Sequence, residues 1–280
     1  MDFSLDSCAL VATDKIKKGV STSTQEPDDR PAYERSTDAM RACSSILASN
    51  FAAQIVATTG PYLPRPLVEC DVIDVGCGYG YTSSELATLS RSVLGVEPSA
   101  TLAEHATTVA AKRNLPNLTI RYGALDSVPA KPAFDLAVLD NVFEHIADQP
   151  AALRHLAMIL RPGGAAFILM PNKLWPIEVH YGLPLLSWLP LPLANLYLRA
   201  SGRGTDYADA SYAPTLWRLR ALFADQPEFD WKLVLPADIS LTQSGGSPLY
   251  RMGVAAIQRF PVLWAVSKAL LVIATRRGDF

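Results

Sequence analysis

Apolar and polar positions along this chain change rhythm at regular intervals, and the rhythm predicts most of its elements. From Ala32 to Thr59, Met40, Cys43, Ile46, Leu47, Phe51 and Ile55 recur at steps of three and four, which predicts a helix closed by Gly60-Pro61. Short apolar runs then predict strands at 70–75 (CDVIDV), 92–97 (SVLGVE), 118–123 (LTIRYG), 134–140 (FDLAVLD) and 165–171 (AAFILMP). Amphipathic segments between them predict helices over Tyr81–Ser90, Leu102–Arg113 and Ala151–Leu160, the last stopped by Arg161-Pro162-Gly163-Gly164. Strands nearly continuous in Val, Ile and Leu, spaced by helices, predict a parallel sheet covered on both faces.

Beyond Asn172 the rhythm breaks. The stretch KLWPIEVHYGLPLLSWLPLPLANLYLR is dense in Leu, Pro and Trp and reads as an insertion after the fifth strand. Two further runs, 230–236 and 250–257, read as strands, and 259–277 reads as a closing helix whose basic end suits the negative pole of its dipole. The expected fold class is α/β: a doubly wound, mostly parallel seven-stranded sheet with an N-terminal helical cap and an insertion after the fifth strand. The expected division is a flexible polar N-terminus at 1–30, the cap at 31–66 and one α/β domain at 67–280, with the insertion at 173–228.

Composition narrows the partners. With 280 residues, 49% hydrophobic and 19% charged, and a net charge of −2, the chain affords a sizeable core. It offers no field to draw a phosphate backbone, so nucleic acid is disfavoured. Cys8, Cys43, Cys70 and Cys77 show neither a CxxC pair nor zinc-ligand spacing, and a chain of this size needs no disulfide staples. The first residues lack the apolar run of a leader peptide, and no stretch reaches the roughly 18 apolar residues of a membrane span. A cytoplasmic chain with a small-molecule acceptor is expected. Integral membrane insertion is disfavoured, while a peripheral membrane contact and a homodimer stay open.

The sharpest chemical signal is DVIDVGCGYGYT, where a strand enters Gly76-x-Gly78-x-Gly80 and a helix follows. A dinucleotide fingerprint needs G-x-G-x-x-G, and here Tyr81 stands where its third glycine belongs. Asp74, two residues before the turn, would repel a pyrophosphate but suits a ligand carrying an ammonium and a sulfonium. Glu97 ends the next strand about 20 residues past the turn, placed to accept both hydroxyls of a ribose.

Together these segments resemble the core of class I S-adenosylmethionine (SAM)-dependent methyltransferases. The subgroup is that of ubiquinone-pathway and natural-product O-methyltransferases. The resemblance runs from Val72 to Asn172 through VIDVGCGYG, LGVEPS, FDLAVLDNVFEHI and LRPGGAAFILMPN. It implies SAM as cofactor, with Asp74, Gly76 and Gly78 at its methionine end, Cys77 and Gly80 in the same turn, and Glu97 with Pro98 at its ribose. It places Ala124 and Leu125 at the adenine, and Asp140 and Asn141 near the amino acid end. Many relatives carry an acid at the Ala124 position, so adenine recognition here falls to backbone and apolar contacts.

Methyl transfer to a hydroxyl needs alignment and a proton acceptor. Glu144 and His145 follow the fourth strand and His180 follows the fifth, so all three are candidates at the sheet's carboxyl end. His105 and His155 fall on helices and receive no function. Some relatives bind a divalent metal through E-x-x-E-H and a later histidine. Asn141 replaces the first of those glutamates here, Asp140 or Glu178 being the available substitutes, and no metal is assigned. Base, metal ligand and purely positional roles remain alternatives for the three. In the resembling family the segment after the fifth strand supplies the acceptor pocket or lid, which implies an apolar or aromatic acceptor. Docking of Leu183–Leu198 or Phe260–Thr275 on a membrane, with a lipid-linked acceptor, is one alternative. Simple packing on the core, a nicotinamide-dependent oxidoreductase and a non-catalytic SAM-binding partner are the others.

Overall fold

The apolar runs do assemble into one sheet. The computed structural model describes residues 32–242 and 245–278, so the expectation for residues 1–30 lies outside the described residues. Seven strands, β1 (Asp71–Val75), β2 (Ser92–Glu97), β3 (Leu118–Tyr122), β4 (Phe134–Asp140), β5 (Leu160–Pro171), β6 (Phe229–Leu233) and β7 (Ala269–Arg276), lie in the order β3-β2-β1-β4-β5-β7-β6. The first five are mutually parallel, and β7 runs antiparallel to both β5 and β6. Strand order reverses between β1 and β4, which is where ligands bind in open α/β sheets.

Neighbouring residues of each central strand serve opposite faces. Ile73, Leu139, Ile168 and Val272 belong to one buried cluster with Phe143, Leu153, Leu156 and Leu222. Val72, Val138, Phe167 and Ile273 belong to the other, with Ile55 and Leu86. A strand covered on both sides shows no alternation, which is why these runs read as continuous. Helices α1 (Ala32–Thr59), α2 (Tyr81–Ala87), α3 (Ala100–Lys112), α4 (Gln149–Ile159), α5 (Leu191–Ala200), α6 (Leu216–Ala224) and α7 (Pro248–Arg259) complete the chain. At the amino end of the sheet, Arg161 joins Asp71 at 2.8 Å to the fully buried Asp135 at 2.7 Å. That network ties β1, β4 and β5 together and leaves the carboxyl end free for chemistry.

Two expectations are corrected at the C-terminal end. The seven strands were counted correctly, but the last is misplaced. Residues 250–257, read as a strand, lie in α7, and 259–277, read as a helix, holds the 3-10 turn Pro261–Val266 and then β7. Ser247 caps α7 by accepting from the Tyr250 N–H at 3.4 Å, with a proline in the first turn, a start signal that outweighs the apolar run behind it. β7 is inserted between β5 and β6 and buried on both faces, so ALLVIAT carries the unbroken hydrophobicity of a core helix. Its Val and Ile are what favour the strand.

Candidate active site

β1 runs straight into the glycine turn, whose first residues are held by β2: Gly76 and Cys77 donate to the Val96 carbonyl at 2.8 and 3.1 Å. Gly78 and Gly80 have φ of 54° and 75°, the left-handed region that glycine enters without steric cost. Their reasons differ. A Cβ on Gly80 would stand 2.7 Å from the Ala106 Cβ, so this glycine lets α2 start tightly against α3. A Cβ on Gly78 would meet nothing within 4 Å, so this glycine faces open space that a ligand can enter. Glu97, buried at the end of β2, accepts from the Gly78 and Ser99 N–H groups, both at 2.9 Å. Its carboxylate therefore stands at the mouth of the turn.

Asp74 is buried under that mouth and accepts from Ser83 Oγ at 2.5 Å. Burial, with Asp140 and Glu97 nearby, pushes its carboxyl up to about 7 despite that bond. Burial likewise raises Asp140, at the tip of β4, to about 6. Asn141 then turns the chain with φ 55° and donates to Asp140 Oδ1 at 2.8 Å. Buried carboxylates that repel one another await a cation, and an ammonium with a sulfonium meets that demand; an anionic pyrophosphate does not. Cys77 points elsewhere: its thiol lies against Gly95 on β2, and burial raises it far above the ordinary thiol range. Pro98 and Ala124 are exposed at the same rim, while Leu125 is buried in the core beneath it.

The second half of the site is a cluster of acids and imidazoles. The 3-10 turn Phe143–His145 follows β4 and sinks Glu144 to 0% exposure, with neither carboxyl oxygen hydrogen-bonded. His180 Nε2 stands 3.8 Å from Glu144 Oε1, and His145 Nε2 stands 4.0 Å from the same oxygen. The two rings meet edge to face with centroids 5.2 Å apart. Each imidazole is oriented from behind through Nδ1, His180 by Glu178 Oε1 at 2.7 Å and His145 by Asp209 at 3.1 Å. Glu178 is itself fixed, because its other oxygen accepts from the His180 and Tyr181 N–H groups at 2.8 and 2.7 Å. Burial raises Glu144 to about 7. Burial works against the charged form of His180 too, yet Glu178 outweighs it and holds the ring above its ordinary value. One donor atom from each of Glu144, His145 and His180 lies within 4.8 Å of the others, a spacing one divalent ion could bridge.

The structure thus brings Glu144, His145 and His180 together, and sets Asp74, Glu97 and Asp140 around the glycine turn. His155 is occupied with the Val128 carbonyl at 2.9 Å. His105, on α3 as expected, lies 3.2 Å from the Tyr81 hydroxyl and edge-on to Tyr79, beside the glycine turn. The sequence singled out Glu178 only as a substitute metal ligand, although its place two residues before His180 in a turn was the available signal. Asp209 carried no signal, standing 64 residues from the ring it orients.

Comparison with known proteins shows the family. A model of the methyltransferase domain matches residues 45–210, more than half of the chain. The chain belongs to that family, within the class I SAM-dependent superfamily. Among curated proteins it is 32% identical over 134 residues to a ubiquinone biosynthesis O-methyltransferase of Methylobacterium nodulans, a match covering 46% of this chain and 53% of that one. It is 32% identical over 105 residues to a probable S-adenosylmethionine-dependent methyltransferase of Mycolicibacterium smegmatis, covering 37% and 39%. The matched region spans about half the length of the ubiquinone-pathway relatives. Among solved structures, the plantazolicin methyltransferase BpumL, in complex with a monoazolic analogue and SAH, superposes with a TM-score of 0.55 at 16% identity, covering 98% and 96%. A putative S-adenosyl-L-methionine-dependent methyltransferase of Methanococcus maripaludis gives 0.53 at 16%, covering 94% and 99%. These last two establish likeness of fold. Among the described residues no helix is long and apolar enough to cross a membrane.

Proposed function

We propose that this chain moves a methyl group from SAM to an oxygen of a small apolar acceptor. The observation that carries the reading is the continuity of the site along the sheet's carboxyl end. Asp74, Asp140, Glu144 and His180 each lie within electrostatic reach of the next. A cation-binding half thereby adjoins a proton-accepting half. SAM supplies the activated methyl group. Asp74 and Asp140 meet its positive charges, Glu97 its ribose hydroxyls, and the Gly78 backbone lets it approach. Cys77, Gly80 and Pro98 shape the turn and rim, while Ala124 and Leu125 offer the adenine an apolar edge. His180 takes the acceptor proton at Nε2, since Glu178 holds the other nitrogen as donor. Glu144 and His145 lie against that nitrogen and steady the charge that forms on the ring. The insertion that carries His180 covers this end of the sheet and suits an apolar acceptor.

One named relative is a ubiquinone biosynthesis O-methyltransferase, which supports oxygen as the methylated atom, and the test uses a phenolic acceptor with an apolar tail. Purified protein with labelled SAM and a short-chain prenyl catechol should give a methoxy product that His180→Ala removes while SAH affinity stays. SAH binding with no product from this or related phenols would leave a non-catalytic SAM-binding partner as the better account. A second use of the cluster has its own support: Glu144 is fully buried with both oxygens bare, facing two imidazole Nε2 atoms. A divalent cation held by Glu144, His145 and His180 would satisfy all three at once. Manganese titration during thermal unfolding decides between them. A rise in Tm that Glu144→Ala abolishes supports the ion, and no rise leaves His180 as the base.

A further inference from the structure

The chain leaves β4 through the 3-10 turn Phe143–His145 and enters α4 at Gln149. That helix start is fixed by strong local signals: Asp148 caps it, accepting from the Ala151 N–H at 2.9 Å, and Pro150 stands in the first turn. The first helical side chain is therefore held in one place beside the turn. It is a glutamine, 6% exposed. An amide buried so deeply needs partners, and Gln149 has two. Its Nε2 donates to the Phe143 carbonyl at 3.0 Å and to the Tyr212 carbonyl at 2.9 Å.

Those two carbonyls stand on either side of one contact. Phe143 opens the turn that carries Glu144 and His145, with its own ring fully buried in the core. Tyr212 follows the bend that carries Asp209, in which the Ala208 carbonyl accepts from the Ser211 N–H at 3.2 Å and the Ser211 hydroxyl at 2.7 Å. Between turn and bend, His145 Nδ1 lies 3.1 Å from both the main-chain oxygen and a carboxylate oxygen of Asp209. Gln149 thus ties the two segments together behind the ring that they orient.

Solvent exposure decides which link does the holding. The Asp209 carboxylate is 86% exposed, and an ion pair open to water holds little by itself. The Gln149 amide is out of water, and its NH2 group offers one hydrogen to each of two acceptors. Losing it would strip two main-chain carbonyls of their side-chain donor, and a bond lost inside the protein is not made good by water. A methionine of nearly the same shape offers neither hydrogen.

We propose that Gln149 is a positioning residue of the acceptor half of the site: its amide latches the turn bearing Glu144 and His145 onto the Asp209 bend, and so keeps both groups against the His180 ring. What that half does rests on the methyltransferase reading, whereas the latch is measured without turnover. Glu144 Oε1 stands 3.8 Å from His180 Nε2, a distance that a small shift of the turn would lengthen. Misplacing such groups is costly to a reaction that depends on alignment.

The experiment compares the whole wild-type chain with Gln149→Met and Gln149→Leu, which stay apolar and remove both donors. Hydrogen exchange with SAH bound reads the latch: amides of 143–146 and 206–212 should exchange about tenfold faster or more in both variants. Gln54→Met, at an equally buried glutamine of α1, should leave them unchanged. SAH affinity should stay as in wild type. With the phenolic acceptor, kcat should fall by about tenfold or more, while the acceptor KM moves little. Asp209→Ala should cost less, and adding it to Gln149→Met should cost nothing further, because both act on one contact. Unchanged exchange, unchanged kcat in an active enzyme, a loss confined to KM, additive losses, or loss of SAH binding by both variants would overturn the proposal. A wild type that binds SAH yet gives no product, with the exchange result as expected, would strike the methyltransferase reading alone.

Discussion

Glu178 and His180 stand two residues apart in one turn, and the 2.7 Å contact between Oε1 and Nδ1 decides which ring nitrogen faces the site. With Oε2 held by two backbone N–H groups, Oε1 is the acceptor left for an Nδ1–H of His180, an arrangement that offers the Nε2 lone pair to the site. Glu178→Gln should therefore lower kcat by about tenfold to a hundredfold, the range for losing a group that supports a general base, with the acceptor KM little changed. Removing the charge that raises the His180 value should also move the acid limb of the pH–rate profile to lower pH. An unmoved limb would make Glu178 a purely structural residue.

The two glycines that differ in surroundings should differ in phenotype. Gly80→Ala puts a methyl group into Ala106 at a left-handed position and should cost about 3 kcal/mol of stability. Gly78→Ala enters open space, so its stability cost should stay near 1 kcal/mol, while SAH affinity falls because the methyl group occupies the ligand's approach. Denaturant unfolding and calorimetry on both variants check the pair. Equal losses of stability would contradict the roles assigned.

Glu97→Ala should weaken SAH binding by about 1–3 kcal/mol, the cost of leaving buried hydroxyls without a partner. It also frees the Gly78 and Ser99 N–H groups, so part of the loss passes through the shape of the turn. An unchanged affinity would place the ribose elsewhere.

Proton linkage offers a test that needs no mutation. In the free protein Asp74 and Glu144 are raised to about 7 and Asp140 to about 6, against ordinary values of 3.8 for aspartate and 4.5 for glutamate. Between those limits the unfolded chain binds fewer protons than the fold, so the free protein should lose stability as pH rises from about 4 to about 7. A bound ammonium favours the ionised carboxylates, so SAH should bind more weakly at about pH 5 than at about pH 8, with proton release on binding. Calorimetry in two buffers of different ionisation heat reads that release. Proton uptake would contradict the arrangement.

How much of this was legible in the sequence follows from how local each signal is. β1, the glycine turn and Glu97 lie within one β-α-β unit, where spacing dictates geometry, and the structure brings them together. The pairing of His145 with Asp209 and the burial of Glu144 depend on how the insertion folds back, which no periodicity encodes. The same holds for the insertion's leucines. Their density predicted an apolar lining, yet Leu183, Leu186 and Leu198 turn inward while Leu193, Leu196 and Trp188 turn outward. β7 was read as a helix because a strand buried on both faces has lost the alternation that marks most strands.

The central claim is that the turn between β1 and α2, with Asp74 and Glu97, holds SAM rather than a dinucleotide. Isothermal calorimetry of the purified chain with SAH and, separately, with NAD tests it directly. The account predicts saturable SAH binding, lost or sharply weakened in Asp74→Ala and Glu97→Ala, and no heat with NAD. Binding of NAD with no response to SAH would contradict it.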